Sequence, residues 1–172
     1  MIKVSKTKLK GVLQISPDVF KDRRGEFVET YNNKLYKKKG IDVKFVQDDV
    51  CFSTKNVLRG IHGDNKTWKL LSCLYGKLYF VVVNCDENSK DFSKWQSFIL
   101  SDENKMQILV PPKYGNAYLV LSENAIFSYK QSTHYDPQRQ FSYKWDDPKF
   151  NIKWPIKEPI LSERDKLGHY AI

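Results

Sequence analysis

The chain has 172 residues, 41% of them hydrophobic and 14% aromatic. This composition excludes a disordered chain and predicts one domain, residues 1–172, with a sizeable core. No run approaches the ~20 apolar residues of a membrane span, and the first ten residues lack the apolar middle of a signal peptide. We therefore expect a cytoplasmic protein that does not bind membranes.

The formal net charge is +9, and residues 1–44 contain 12 Lys and Arg against 5 Asp and Glu. Such a basic region is compatible with nucleic acid, with a small phosphorylated ligand or with a solvated surface. For Lys37, Lys38 and Lys39 a solvated surface is the favoured interpretation. Since no DNA- or RNA-binding motif is present, we expect no nucleic acid partner.

The predicted elements are mostly short runs of β-branched and aromatic residues separated by Gly, Pro, Asn and Asp. In chain order, strands are predicted at residues 11–15, 26–31, 43–53, 57–62, 68–83 (broken at Gly76), 95–100, 107–110, 118–121 and 125–129. Residues 33–39, before Gly40, are predicted to form one or two helical turns. About ten short strands with little helical periodicity indicate an antiparallel sandwich or barrel. The tail from Trp145 to Ile172 is expected to wrap the surface.

The predicted strands at residues 57–62 and 68–83 are expected to form a central hairpin. Three polar side chains interrupt its apolar pattern: Arg59, His62 and Lys69. Burying such groups is costly unless something pairs with them. A lone histidine near strands is more often a hydrogen-bonded structural residue than a catalytic one. From these residues alone, catalysis and ordinary hydrogen bonding therefore both remain open.

Cysteine and histidine spacing argues against a disulfide framework and a metal site. Three cysteines without a C-x-x-C pair predict reduced, structural thiols. Jelly rolls of the cupin kind often bind a metal through converging histidines. Here His62, His134 and His169 are far apart in sequence, and Asn116 occupies the place where cupins commonly have a later histidine. We expect no metal.

Several motifs, each weak alone, occur together in a fixed order. They are Asp22-Arg-Arg-Gly-Glu-Phe-Val-Glu29, Phe45-Val-Gln-Asp48, Val57-Leu-Arg-Gly-Ile-His62, Lys69-Leu70, Pro111-Pro112, Tyr129-Lys130, Trp145-Asp-Asp-Pro148 and Ile160-Leu-Ser-Glu-Arg-Asp165. With these motifs the chain, from about Gly11 to Asp165, resembles the dTDP-4-dehydrorhamnose 3,5-epimerase family.

The resemblance implies an all-β fold: a cupin-like antiparallel jelly roll or β-barrel with a few short helices, usually a homodimer. It also implies an isomerase that inverts carbons beside the ketone of a nucleotide-diphospho-4-keto-6-deoxy sugar. A hydrogen next to a ketone is acidic because its loss gives an enolate, so inversion needs a base on one face and an acid on the other. Neither a metal nor another cofactor is required.

Four residues match the catalytic positions of the family. The resemblance makes His62 the base and Asp165 the carboxylate that holds its other ring nitrogen. Lys69 matches the cation beside the developing enolate oxygen. Tyr129 matches the acid on the opposite face, and we expect Lys130 or Lys69 to lower its pKa.

Other residues match positions that bind the substrate. Arg24 and Arg59 match positions that meet the diphosphate and nucleotide, where a guanidinium can bind oxygens bidentately. The resemblance places Gln47, Glu29 and position 49 in the nucleoside pocket.

The sequence departs from the family pattern at three positions, which carry Asp49, Asn116 and His134 where Asn, His and Tyr are usual. We include all three among the substrate-binding residues. Asn116 and His134 are candidates for deciding whether carbon 3, carbon 5 or both are inverted.

An anionic Asp49 suits guanine, which offers two donors, better than thymine. We therefore hypothesise a GDP-linked 4-keto-6-deoxy-heptose as substrate, in surface polysaccharide biosynthesis such as that of a bacterial capsule. The alternatives are a dTDP-4-keto-6-deoxy-glucose 3,5-epimerase, a 3,4-ketoisomerase and a non-catalytic sugar-nucleotide-binding jelly roll.

Overall fold

The computed structural model describes residues 1–169, which form thirteen strands and two short α-helices. The first strands are β1 (Ile2–Lys6), β2 (Leu13–Pro17), β3 (Val19–Asp22), β4 (Gly25–Val28), β5 (Gln47–Thr54), β6 (Leu58–Asp64) and β7 (Lys69–Tyr75). The remaining strands are β8 (Lys77–Asn84), β9 (Trp95–Ser101), β10 (Gln107–Val110), β11 (Tyr114–Val120), β12 (Asn124–Gln131) and β13 (Gln140–Ser142). The helices are α1 (Asn33–Lys38) and α2 (Glu163–Leu167).

The strands form two antiparallel sheets and a separate hairpin. The first sheet has the order β1-β2-β10-β7-β12-β5, and the second has the order β13-β6-β11-β8-β9. Strands β3 and β4 pair only with each other. Apart from the consecutive pairs β1–β2 and β8–β9, neighbours in each sheet are not consecutive in the chain, as in a double-sheet jelly roll. The predicted all-β, cupin-like class is therefore confirmed.

The main core lies between the inner faces of the two sheets. Leu71 of β7 and Phe127 of β12 come from the first sheet, while Phe80 of β8 and Tyr118 of β11 come from the second. The rings of Phe127 and Tyr118 have their centroids 4.4 Å apart. Because side chains alternate along a strand, every second residue of these strands points into this space.

Helix α1 covers the outer face of the first sheet. Asn32 caps it by accepting a hydrogen bond from the Leu35 N–H at 3.1 Å, and the chain turns at Gly40 in a left-handed conformation with φ of +85°. Tyr36 of α1 packs into a second apolar cluster with Ile15 and Leu109. The predicted helical turns at residues 33–39 are thus present.

Most predicted strands are present with shifted ends. Pro17, predicted in a turn, is the last residue of β2, and the strand predicted over residues 26–31 ends at Val28. Strand β5 begins at Gln47 rather than at Val43. The prediction omitted β1, β3 and β13, since β1 alternates with lysines and the other two strands have only four and three residues.

The C-terminal tail is attached to the second sheet at the start of β6. The backbone of Leu58 donates to the Ile160 carbonyl at 3.0 Å, and Ile160 donates to the Asn56 carbonyl at 2.9 Å. These two bonds place α2 beside β6. The tail was predicted to wrap the surface from Trp145 to Ile172, of which the last three residues lie outside the described residues.

Gly60 is the point where β6, β11 and the tail come closest. Its φ is +118°, and a Cβ built there would lie 2.6 Å from Ala117 Cβ and from the Asn116 carbonyl oxygen. Its N–H donates to Asp165 Oδ1 at 3.0 Å. Only glycine meets both the dihedral angle and the lack of space.

We predict that Gly60→Ala lowers the free energy of unfolding by about 3 kcal/mol or more, because backbone strain and overpacking add. Gly25→Ala is the matched control, since Gly25 has a φ of +127° and a Cβ added there would meet no atom within 4 Å. The free energy of unfolding of Gly25→Ala should fall by only about 1–2 kcal/mol, because of backbone strain alone. Chemical denaturation measures both variants, and equal losses would contradict the role assigned to crowding.

Candidate active site

A cavity of about 280 Å³ opens between the two sheets, and both sheets supply its walls. The second sheet contributes Arg59, His62, Asn116, Tyr118 and Gln140; the first contributes Cys51, Lys69, Leu71, Phe127 and Tyr129; the tail contributes Ser162, Arg164 and Asp165. The cavity thus combines an apolar floor with several convergent polar groups, which is typical of a ligand site.

His62 and Asp165 form the central polar pair of the cavity. His62 Nε2 lies 2.7 Å from Asp165 Oδ1, and the side chains are 25% and 3% exposed. A neutral imidazole that donates from Nε2 keeps its lone pair on Nδ1, which is then the nitrogen able to take a proton. The predicted contact between these two residues is therefore present.

Asp165 is held by contacts with strand β6 and with the N-cap of α2. Besides His62 of β6, the Gly60 N–H donates to Oδ1 at 3.0 Å, and the Ser162 hydroxyl donates to Oδ2 at 2.6 Å. Ser162 is also the N-cap of α2 and accepts from the Asp165 N–H at 3.2 Å. Burial opposes ionisation of Asp165, but the bonds from His62 and Ser162 outweigh it and hold its pKa below the usual range.

The pKa of His62 lies below its ordinary value. Burial is the largest cause, because it disfavours the charged imidazolium. The hydrogen bond to Asp165 acts in the opposite direction, whereas the positive charges of Arg164 and Lys69 lower the pKa further. His62 is therefore neutral near pH 7, the state that a general base requires.

Lys69 lies at the start of β7, on the opposite sheet from His62. It is only 8% exposed, and burial lowers its pKa to about 8, partly offset by the negative charge of Asp64. Its ammonium group therefore remains mostly protonated at neutral pH. A desolvated cation facing a cavity is well suited to stabilising an oxyanion that develops there.

Tyr129 of β12 faces the same cavity from the first sheet. Its pKa is raised, first by burial and then by the negative charge of Asp49, so the phenol keeps its proton at neutral pH. Our expectation that Lys130 or Lys69 lowers this pKa is wrong. Lys130 alternates to the other face of β12, where its Nζ lies 2.7 Å from Asp48.

Arg59 lines the cavity, and hydrogen bonds to neighbouring side chains hold its guanidinium in place. Its Nε donates to the Ser53 hydroxyl at 3.2 Å, and Ser53 Oγ lies 3.3 Å from the hydroxyl of Tyr118. Burial raises the pKa of Tyr118 to about 12, so its hydroxyl stays neutral. These contacts fix the guanidinium of Arg59 at the cavity wall.

Asn116 lies on β11 directly opposite His62 on β6. Its Oδ1 is buried and accepts no hydrogen bond from any of residues 1–169. A buried acceptor without a partner is costly. A ligand hydroxyl bound in this cavity would satisfy it.

Three predicted binding residues, Arg24, Glu29 and His134, do not line the cavity. Arg24 and Glu29 are exposed near the β3–β4 hairpin, where Arg24 pairs with Asp22 at 2.6 Å. His134 is exposed in the loop after β12. Their roles in binding stay predictions.

Gln47 and Asp49 lie beside the cavity on β5. The Gln47 amide donates to both Asp49 oxygens at 3.1 and 3.0 Å, and the Gln131 amide donates to Oδ2 at 2.8 Å. Two amides thus already hold the carboxylate that we hypothesised to recognise guanine.

Sequence reasoning missed several cavity residues. They are Cys51, Leu71, Tyr118, Phe127, Gln140, Ser162 and Arg164. Strand alternation was the signal that could have found some of them, because Leu71 and Phe127 stand two positions from Lys69 and Tyr129. Arg164, next to Asp165 in sequence, adds a third cation to the cavity, and its Nε donates to Ser142 Oγ at 2.7 Å.

Within residues 1–169, no helix has the length and apolar character needed to cross a membrane. The same residues contain no group of three His, Cys, Asp or Glu side chains arranged to bind a metal. The prediction of a cofactor-free site stays a prediction.

The model of the family described as dTDP-4-dehydrorhamnose 3,5-epimerase matches residues 6–170. A dTDP-4-dehydrorhamnose 3,5-epimerase from Shigella flexneri is 38% identical over 169 residues, covering 96% of this chain and 93% of its own. A crystal structure of dTDP-6-deoxy-D-glucose-3,5-epimerase from Legionella pneumophila, in complex with dTDP-4-keto-L-rhamnose, superposes with a TM-score of 0.93 at 35% identity and covers 98% and 92% of the two chains. The crystal structure of a Bacillus anthracis dTDP-4-dehydrorhamnose 3,5-epimerase with bound TDP and pyrophosphate also superposes with a TM-score of 0.93. It is 32% identical, and the match covers 97% of this chain and 98% of the Bacillus chain.

We predict that Asp165→Asn lowers the pKa of His62 further, because burial and the nearby cations then act without the opposing carboxylate. Nitrogen-detected NMR of the imidazole rings measures this directly. Glu163→Gln is the matched control: Glu163 is exposed on the same helix and pairs with Lys166. An unchanged or higher pKa of His62 in Asp165→Asn would contradict the assignment.

Proposed function

The chain belongs to the dTDP-4-dehydrorhamnose 3,5-epimerase family and is an isomerase-class epimerase, and we propose that it inverts carbons 3 and 5 of a dTDP-4-keto-6-deoxy sugar. The observation that carries the proposal is the placement of His62 and Tyr129 on opposing sheets around one cavity. A sugar ring bound between the sheets would have a neutral base on one face and a protonated phenol on the other. Inversion of a carbon beside a ketone requires this arrangement.

In the proposed reaction, His62 takes the proton from the carbon next to the ketone, and the C–H electrons form the enolate double bond. The ketone oxygen becomes negative, and the ammonium of Lys69 stabilises it. Tyr129 then delivers its proton to the carbon from the opposite face, which leaves the carbon inverted and the tyrosine as a phenolate. Asp165 stabilises the imidazolium of His62 until His62 releases its proton to solvent and the Tyr129 phenolate takes one up from solvent.

The charges of the cavity support an anionic substrate. Among residues 1–169, Arg59, Lys69 and Arg164 line it together with a single carboxylate, that of Asp165, which is already paired. We propose that Arg59 binds the diphosphate, with a guanidinium that Ser53 and Tyr118 hold in place. We further propose that Asn116 Oδ1 accepts a hydrogen bond from a sugar hydroxyl.

The homodimer remains a proposal that surface composition supports. Strand β5 is an edge of the first sheet and exposes Val50 (64%) and Phe52 (61%). Leu74 and Tyr75 at the end of β7 are exposed as well. An exposed apolar edge strand is prone to pair with another chain, so we propose that this region contacts a second copy.

A deuterium-exchange experiment tests the epimerase proposal. Incubated in deuterated water with a dTDP-4-keto-6-deoxy sugar, the enzyme should introduce deuterium at carbons 3 and 5, as followed by NMR. We predict that His62→Asn lowers the exchange rate by about 10³-fold. Tyr129→Phe should still exchange protons but should not invert the carbon.

His169→Asn and Tyr79→Phe are the controls for these variants, because both residues lie away from the cavity walls. Undiminished exchange in His62→Asn would place the base elsewhere. Movement of the ketone to carbon 3 would indicate a ketoisomerase, and absence of any exchange would favour a binding protein without catalysis.

The GDP-linked heptose is the second candidate substrate, and the anionic Asp49 is the observation that favours it. The relatives described above are named for dTDP-linked sugars, and the Asp49 oxygens already accept bonds from Gln47 and Gln131. We therefore predict that TDP binds at least about tenfold more tightly than GDP, a difference of about 1.4 kcal/mol.

Isothermal titration with the two nucleotides measures this preference. Tighter binding of GDP would establish the second candidate, and loss of that preference in Asp49→Asn would assign it to the carboxylate. Asp48→Asn, which removes the neighbouring exposed charge, serves as the control.

A further inference from the structure

Lys69 is a buried cation with no direct partner. It is 8% exposed, and its ammonium group makes no hydrogen bond or ion pair with the described part of the chain. A buried charge without compensation loses its proton or destabilises the protein. Since the proposed reaction needs Lys69 protonated, some nearby negative charge has to maintain that state.

Asp64 is a buried anion whose charge no direct ion pair neutralises within residues 1–169. It ends β6 and is 4% exposed, while Lys69 begins β7 five residues later. All its donors are neutral: the N–H groups of Lys66 and Thr67 at 2.7 and 2.6 Å, the Thr67 hydroxyl, and the Gln140 amide at 3.1 Å. These bonds fix the carboxylate without cancelling its charge.

We propose that Asp64 is a positioning residue for the epimerisation, whose buried carboxylate keeps the ammonium of Lys69 protonated at the cavity. This inference rests on the proposed function. The same carboxylate also orients a wall of the cavity, because Gln140 lines the cavity and donates to it. Through Thr67, whose hydroxyl lies 2.7 Å from that of Thr133, it connects to the loop that follows Tyr129 and β12.

The other charges facing Lys69 come from three elements. Asp49 of β5 is negative and stabilises the ammonium, Arg164 of α2 is positive and destabilises it, and His62 of β6 is neutral near pH 7. Tyr129 of β12 keeps its proton.

After burial, Asp64 has the largest influence on the pKa of Lys69, which is about 8. Burial raises the pKa of Asp64 itself, but the hydrogen bonds from Thr67 and Lys66 outweigh burial and hold it low.

The test is the titration of Lys69 in the complete protein, followed through the carbon signals of isotope-labelled lysine. The signal is assigned by its loss in Lys69→Arg. In the unmodified protein we expect a midpoint of about 8. Asp64→Asn should move the midpoint down by about one unit, because removal of an anion disfavours the ammonium. Asp64→Glu, which retains the charge, should restore it.

Asp91→Asn is the matched control, since it removes a half-buried carboxylate that pairs with Lys94 and does not line the cavity. Thermal unfolding confirms that each variant is folded. Asp64→Ser, which leaves space for a water in place of the carboxylate, replaces Asp64→Asn if that variant does not fold. An unchanged midpoint in a folded, uncharged variant would overturn the inference.

The dependence of the exchange rate on pH gives the functional measurement. The rate should fall as the pH rises through the pKa of Lys69, and Asp64→Asn should shift this alkaline limb to lower pH by the same amount as the NMR midpoint. A limb that stays in place while the midpoint moves would separate Asp64 from catalysis. If the unmodified protein exchanges no sugar, the proposed function fails, yet the NMR titration still decides whether Asp64 controls Lys69.

Discussion

The hydrogen-bonded pair of His62 and Asp165 is the interaction on which the rest of the site depends. It joins the second sheet to the tail, and the same carboxylate also binds the backbone of Gly60 and the cap of α2. One buried anion therefore fixes the imidazole, the strand that carries it and the helix that closes the cavity. Burial outweighs the carboxylate in setting the pKa of His62, so the pairing orients the base without protonating it.

The two-sheet architecture explains how one small cavity can hold a base and an acid on opposite sides. His62 and Asn116 belong to the second sheet, whereas Lys69 and Tyr129 belong to the first. Each strand points alternate residues inward, so a polar residue replaces an apolar one without disturbing the register. The separation of base and acid is thus a property of the fold, and it persists when individual binding residues change.

Strand alternation and turn residues were sufficient to predict the all-β class and most strands, and ordered motifs identified the cavity residues His62, Lys69, Tyr129 and Asp165. The sequence could not show which strands are neighbours: Asp165 meets Gly60 because long-range contacts, such as the bridge between residues 57 and 160, bring the tail to β6. The same limit explains why the prediction of a lowered pKa for Tyr129 was wrong. Lys130 is adjacent to Tyr129 in sequence but lies on the other face of β12, whereas Asp49 on β5 is the cross-strand partner of Tyr129. From the sequence, Asp64 is expected in a polar turn after the strand at residues 57–62. Its burial could not be predicted, because it depends partly on Gln140, which is distant in sequence.

The balance of buried charge links the stability of the cavity to its chemistry. Three cations line it, yet the pKa values of both Lys69 and His62 are lowered, so the cavity by itself does not hold its full positive charge. A bound diphosphate would add negative charge near these groups and favour the ammonium of Lys69. Protonation of Lys69 would then be greatest with the substrate in place, when an oxyanion has to be stabilised. Burial lowers the pKa of His62 from an ordinary value that is already well below that of a lysine, so the same anion need not convert the base into an acid.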